Sequence, residues 1–339
     1  MRSRADHGMR LDFPFTEHDT PRLRERVRSD LSRVARDAHL RDPALIALAL
    51  TGGFSRGEGT TRQDTPVNDY DLLAIRAHPG AGALYRGIGA RLTAELGIEV
   101  DILPVWQGRL PHVGRKLFWL DVRMGARVVC GDPGALRRLR RFDAAGVDGA
   151  EIARLLGNRA AGMLLSLPSE GERADPHQRD LQATKAVLAA MDASLLHRGA
   201  YAPGMRERVA LSAAHPDHDA FATAADWKLR PQHALPDDWW ERARDTLLRA
   251  VDETGARETQ DGIIEHALHA ARARRIAYSP SQRVRAAAWD LLAMSTFPGG
   301  PADMPRATRA VRHLGAPAVG LSWSALKATF LHARARTLQ

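Results

Sequence analysis

The chain has 339 residues, enough for two domains and a sizeable core, and 44% of them are hydrophobic, 26% charged and 6% aromatic. Collagen-like and disordered classes are excluded by that balance, and the longest uncharged apolar stretch, Pro43 to Phe54, falls short of the roughly 18–20 residues that span a bilayer. The net charge of +9 divides evenly, with 24 basic against 19 acidic residues up to position 150 and 25 against 21 after it, so no basic tail marks a nucleic-acid partner. Met1 to Phe15 carries Arg, Asp and His with no apolar region behind them, so no secretory signal is expected and the cytoplasm is the expected compartment. The single cysteine, Cys130, can neither close an internal disulfide nor build a multi-cysteine zinc site.

Thr20-Pro21 followed by Leu23, Val27, Leu31 and Val34 combines an N-cap, a first-turn proline and a helical apolar stripe, which predicts a helix over Pro21 to Ala38. Leu45 to Leu50, Tyr70 to Ile75 and Ile98 to Val105 are short apolar runs and read as strands, the last alternating Ile98, Val100 and Ile102 with Glu99, Asp101 and Leu103. Between the second and third lies a predicted helix over Ala81 to Leu96, with Leu84, Ile88, Leu92 and Leu96 at helical spacing and Gly97 as its stop. A further short strand is expected at Arg127 to Cys130. Beyond it the signals become helical, over Gly149 to Leu165, Gln178 to Arg198, Trp239 to Glu253, Asp261 to Arg275, Gln282 to Met294 and Trp323 to Arg336. Ser169 to His177, His215 to Asp238 and Phe297 to Pro305 read as loops. The expected organisation is an α/β or α+β domain over 1–147 and an all-helical domain over 148–339.

Chemistry concentrates in Thr51-Gly-Gly-Phe-Ser-Arg-Gly-Glu-Gly-Thr60, in Asn68-Asp-Tyr-Asp-Leu72, and in Glu99-Val-Asp-Ile102. Residues i and i+2 of a strand share a face about 6–7 Å apart, so Asp69 and Asp71 project side by side, and Asp101 on a neighbouring strand completes a cluster. Three adjacent carboxylates repel unless a cation neutralises them, and oxygen-only ligation with room for phosphate and water suits Mg²⁺. The backbone at Gly52 and Gly53 can approach a ligand closely, and its amides with the Ser55 hydroxyl are candidate phosphate contacts.

Strand, Gly-Gly-x-Ser-Arg-Gly-Glu, Asn-Asp-Tyr-Asp-Leu, helix, then a strand with a single acid resembles the nucleotidyltransferase superfamily, which includes DNA polymerase β, aminoglycoside nucleotidyltransferases and the uridylyltransferase of nitrogen regulation. The resemblance covers residues 45–105, and the glycine loop is closest to the Gly-Gly-Tyr-Gly-Arg-Gly-Glu wording of the uridylyltransferase group. It departs from the commonest pattern at Gly53, where many members have serine, and in the longer loop from Thr60 to Val67; Ser55 is the residue that could supply the missing hydroxyl. The resemblance implies an α+β core with a small mixed sheet and a helical C-terminal domain. By carry-over, Asp69 and Asp71 hold Mg²⁺, expected as two ions, against a triphosphate, and Asp101 is the third ligand or the base.

Arg56 and Glu58 either contact phosphates or pair with each other to brace the loop. Lys185, and after it Arg159, are the expected basic residues reaching the nucleotide from the helical domain, as in many members. His266 and His269 with Glu265 do not make the His-Glu-x-x-His zinc order and read as a solvated face. Arg137, Arg138, Arg140 and Arg141 are expected near the end of a short helix, and Trp239-Trp240 as an anchor between domains. What the resemblance implies is a Mg²⁺-dependent nucleotidyltransferase that moves a nucleoside monophosphate from an NTP, ATP first among the donors, to a hydroxyl of a small antibiotic- or sugar-like molecule, releasing pyrophosphate. The alternatives are a protein side chain or tRNA end as acceptor, an oligonucleotide or cyclic-dinucleotide product, or a nucleotide-binding module without turnover. No membrane partner is expected, and the acceptor and the oligomeric state are left open.

Overall fold

A computed structural model describes residues 10–62, 64–67, 69–168, 175–231, 234–259 and 330. The chain divides into two compact units. The first comprises Met1–Gly146 together with Ala202–Glu207 and Asp226–His233, and the second the remainder. The protein is α+β, with helices and a small mixed sheet.

In chain order the first unit begins with α1 (Pro21–Arg41), capped by the Thr20 hydroxyl, which accepts from the Leu23 amide at 3.3 Å. Then follow β1 (Leu45–Leu50), a single-turn α2 (Gly52–Ser55), the strands β2 (Thr61–Arg62) and β3 (Thr65–Pro66), and β4 (Tyr70–Arg76). After these come α3 (Gly82–Leu96), β5 (Val100–Trp106), α4 (Leu117–Gly125) and β6 (Arg127–Gly131). Gly97 ends α3 in the left-handed conformation, φ +70°, where a glycine carries no steric cost. The four-stranded sheet runs β5-β4-β1-β6, with β4 and β5 parallel and the other two pairings antiparallel.

Both faces of this sheet are covered, which is why β1 reads as a continuous apolar run and not as an alternation. One face carries Leu48, Leu50, Leu72 and Ala74 and packs against Leu23, Val27, Leu31 and Val34 of α1 and Tyr85, Ile88 and Leu92 of α3. The other carries Ala47, Ala49, Leu73, Ile75 and Val105 under Leu110, Val113 and Val122. The two-residue strands β2 and β3 form a small hairpin in the long loop between Thr60 and Val67, an element the sequence pattern did not predict because neither strand is long enough to show alternation.

In the second unit α5 (Gly149–Leu165), α6 (Pro176–His197) and α9 (Trp239–Glu253) pack on one another. Trp239 is 1% exposed and its indole N–H donates to the Thr184 hydroxyl of α6 at 3.2 Å, which ties α9 to α6 within this unit. Two helices shared between the units, α7 (Met205–Leu211) and α8 (His218–Leu229), occupy sequence that gave no helical stripe, and α8 replaces half of the loop expected over His215 to Asp238. Its buried positions are Ala220, Phe221, Ala224, Ala225, Trp227 and Leu229; alanine favours helix but leaves no strong apolar period to read. The helices expected over Asp261 to Arg275, Gln282 to Met294 and Trp323 to Arg336, with His266 and His269, lie outside the described residues. Among the described residues no helix is long and apolar enough to cross a membrane.

Candidate active site

The site forms where β1 ends beside the start of β4 and β5. At the end of β1, the Thr51 amide and hydroxyl both donate to the Asp71 carbonyl, at 2.8 and 3.1 Å, and fix the chain against β4. The backbone then turns at Gly52, φ +67°, into α2. A Cβ on Gly52 would lie 2.2 Å from Oδ2 of Asp71, so glycine is what lets that carboxylate rest against the loop. At Gly53 a Cβ would stand 3.0 Å from the Glu58 carbonyl, a tight approach without left-handed strain. The Ser55 hydroxyl, by contrast, donates to the Gly52 carbonyl at 2.9 Å and is 1% exposed. It closes the turn of the glycine loop.

Asp71 and Asp101 are directly paired in the parallel β4–β5 register, on strands about 4.8 Å apart. Strand alternation places them on the face shared with Leu73, Ile75 and Val105, away from α1 and α3. Asp69, just before β4, lies close enough for its charge to act on Asp71. Asp101 is exposed and the other two half-buried. Burial, then the charges of Asp69 and Asp101, push the Asp71 carboxyl up to about 7, while Arg56 and Lys228 pull it down. Three acids are thus within electrostatic reach of one another. No protein-family model and no curated protein matches this sequence.

Among the described residues no group of three His, Cys, Asp or Glu side chains is gathered closely enough to enclose a metal ion. The donor chemistry still fits Mg²⁺, a hard cation usually held by one or two carboxylates with the remaining positions left to water and substrate phosphates. Asp69 and Asp71 are the pair that would hold it, and the charge stored at Asp71 is what a cation would relieve.

Arg56 Nε donates to Glu58 Oε2 at 3.2 Å, the bracing pair, and the Arg56 charge also acts on Asp71, so the two readings of Arg56 are not exclusive. Lys185 on α6 and Arg159 on α5 belong to the second unit, where burial lowers the Arg159 pKa and the Asp192 charge opposes that. Besides Arg56, the first unit places Lys228 near Asp71, at the end of α8, held by its own carbonyl, which accepts from the Thr60 hydroxyl at 3.0 Å. Sequence reasoning missed it because it lies in the expected loop over His215 to Asp238. The one available signal was scarcity, since the chain has only four lysines. Arg137 and Arg138 lie in a 3-10 turn (Ala135–Arg138) and all four arginines of that run are exposed.

Proposed function

We propose that the protein transfers a nucleotidyl group from an NTP to a hydroxyl acceptor, with Mg²⁺ as the cofactor. The observation that carries this reading is the register of Asp71 with Asp101, with Asp69 alongside, against a loop that only glycine at position 52 permits. Clustered carboxylates next to closely approachable backbone are suited to holding a metal-bound triphosphate, and the sequence order of these parts is that of the nucleotidyltransferase superfamily. Bound there, Mg²⁺ supplies charge neutralisation for the phosphates of the donor and the pyrophosphate leaving group.

The rest is work for the chain. Asp69 and Asp71 would hold that cation, and the turn at Gly52 lets phosphate oxygens approach main-chain amides, which the first turn of a helix leaves without intrahelical partners. Arg56 and Lys228 add positive charge on the same side. Asp101, the exposed member, is placed to take the proton of the attacking hydroxyl as its oxygen bonds to the α-phosphorus and the bond to pyrophosphate breaks. A small-molecule hydroxyl is the acceptor class we favour. Retention of all three acids argues against a module without turnover.

The test is the melting temperature of the protein with each of ATP, GTP, CTP and UTP, with and without Mg²⁺, for wild type and Asp71→Asn. The expected result is a Mg²⁺-dependent rise with one or more nucleotides, absent in the variant, followed by acceptor screening by mass. If no nucleotide shifts the folded wild type in the presence of Mg²⁺, the reading is abandoned.

A further inference from the structure

Glu58 lies in the glycine loop, yet its carboxylate does not face the acid cluster. Oε2 accepts from Arg56 Nε at 3.2 Å, and Oε1 accepts from the backbone amide of Met205, a residue 147 positions later in the chain. Both side chains are largely withdrawn from water, 14% exposed for Arg56 and 11% for Glu58. Ion pairs at that depth are held more tightly than surface pairs, because solvent neither screens them nor replaces their hydrogen bonds. The stem of Arg56 is fixed as well: a Cβ on Gly125 of α4 would fall 2.8 Å from its Cγ, so the side chain lies directly on the α4 backbone. The Arg56 guanidinium is therefore set from both ends, by Gly125 beneath and Glu58 at the head. Ala202–Glu207, the segment reached by Glu58, belongs to the first unit although it comes from the second half of the chain.

We propose that Glu58 is a positioning residue: by bridging Arg56 and the Met205 amide it sets the glycine loop, and the charge Arg56 carries, beside Asp71. The functional consequence rests on the nucleotidyl-transfer reading, whereas the structural consequence does not. With the bridge in place, the loop's amides and Arg56 hold one arrangement before any ligand arrives, so binding does not have to order them. Without it the loop remains attached through Thr51 but its far end and the guanidinium lose their common support.

Two full-length variants separate the parts. Glu58→Gln keeps an oxygen that can accept from the Met205 amide but loses the ionic hold on Arg56; Glu58→Ala loses both. Hydrogen exchange is measured without nucleotide or metal on residues 52–58 and 202–207, and Mg²⁺·ATP affinity is measured by calorimetry, with the other three NTPs if ATP does not bind. The expected result is faster exchange at both segments in Glu58→Ala, faster exchange at 52–58 alone in Glu58→Gln, and affinity about tenfold weaker in both, with melting temperatures lowered but unfolding still cooperative. Wild-type exchange at 52–58 in Glu58→Ala overturns the proposal, as does unchanged affinity. Should wild type bind none of the four nucleotides, the proposed function fails while the exchange comparison still decides whether Glu58 sets the loop.

Discussion

At Gly52 two demands meet, a left-handed backbone at φ +67° and a carboxylate oxygen where a side chain would begin, 2.2 Å from the hypothetical Cβ. Gly52→Ala has to answer both, by strain of about 1–3 kcal/mol and by displacing Asp71, so the melting temperature falls by roughly 3–10 °C and Mg²⁺-dependent nucleotide binding is lost. Differential scanning calorimetry of the metal-free variant checks the first and thermal shift the second; a variant as stable as wild type would show that the loop re-forms elsewhere. Asp71 makes the opposite prediction. Its folded-state carboxyl is pushed up to about 7 from an unfolded value near 3.9, so the native state binds the extra proton, and stability is lost as pH rises from the lower value to the higher. Asp71→Asn removes that penalty. The metal-free variant is therefore expected to be more stable than wild type, by a margin that grows from pH 5 to pH 7.5 and then levels; melting curves across that range read it, and a flat margin refutes it. A residue whose charge weakens the empty fold suits the proposed cation site.

At the scale of elements, the same sheet is fastened at its other end by Asp42, which follows α1 and is 2% exposed. Its carboxylate accepts from Arg76 Nη2 at the end of β4 at 3.0 Å, from the Tyr85 hydroxyl of α3 at 2.8 Å and from the Ala44 amide at 3.0 Å. Arg76 leads the causes that hold its pKa below the ordinary carboxylate value. The stability it contributes is complete above an unfolded pKa of about 3.9 and is lost as pH falls through the depressed folded value, so the expected loss lies below pH 4. Asp42→Ala leaves the Arg76 guanidinium buried without its partner and is expected to cost about 3–5 kcal/mol, measured by urea denaturation at pH 7. Of the elements, α1, β1, β4, α3, β5 and β6 were legible because a stripe, an apolar run or an alternation marks each; α1 even announced its cap and first-turn proline. The turn of α4, the short α7 and the alanine-rich α8 carry no such mark. The acid cluster was legible because two apolar runs each carry an acid near their start, and the parallel register pairs Asp71 with Asp101 while the Asp69 charge also acts on Asp71. Its cationic side was not. Lys228 and the Glu58–Met205 contact depend on parts of the chain more than 140 residues apart meeting in one unit, which no local period encodes.

On the scale of the whole molecule, the first unit is not a continuous stretch of sequence. The chain leaves it after Gly146 and returns to it twice, at Ala202–Glu207 and Asp226–His233. Charge holds both returns: Glu17 accepts from Arg206 Nε at 2.8 Å and from Arg230 Nη2 at 3.2 Å, while Arg206 also pairs with Asp226. Arg206 leads the causes that lower the pKa of Glu17, yet Arg206 and Glu17 are 47% and 28% exposed at their side chains, so water and salt screen the pair. A double-mutant cycle between Glu17→Ala and Arg206→Ala is therefore expected to give a coupling of only about 0.2–1 kcal/mol, shrinking further at 1 M salt. Its local effect should be larger than its global one, because the pair touches the returning segments directly and the sheet only through them. Hydrogen exchange in Glu17→Ala is expected to quicken at 202–207 and 226–231 while β1 and β4 retain wild-type protection. Equal loss of protection in the sheet would mean that the returning segments are part of the folding core and not late additions to it. If only the returning segments loosen, Lys228 loosens with them, and the positive charge opposite Asp71 becomes a property the second half of the chain lends to the first.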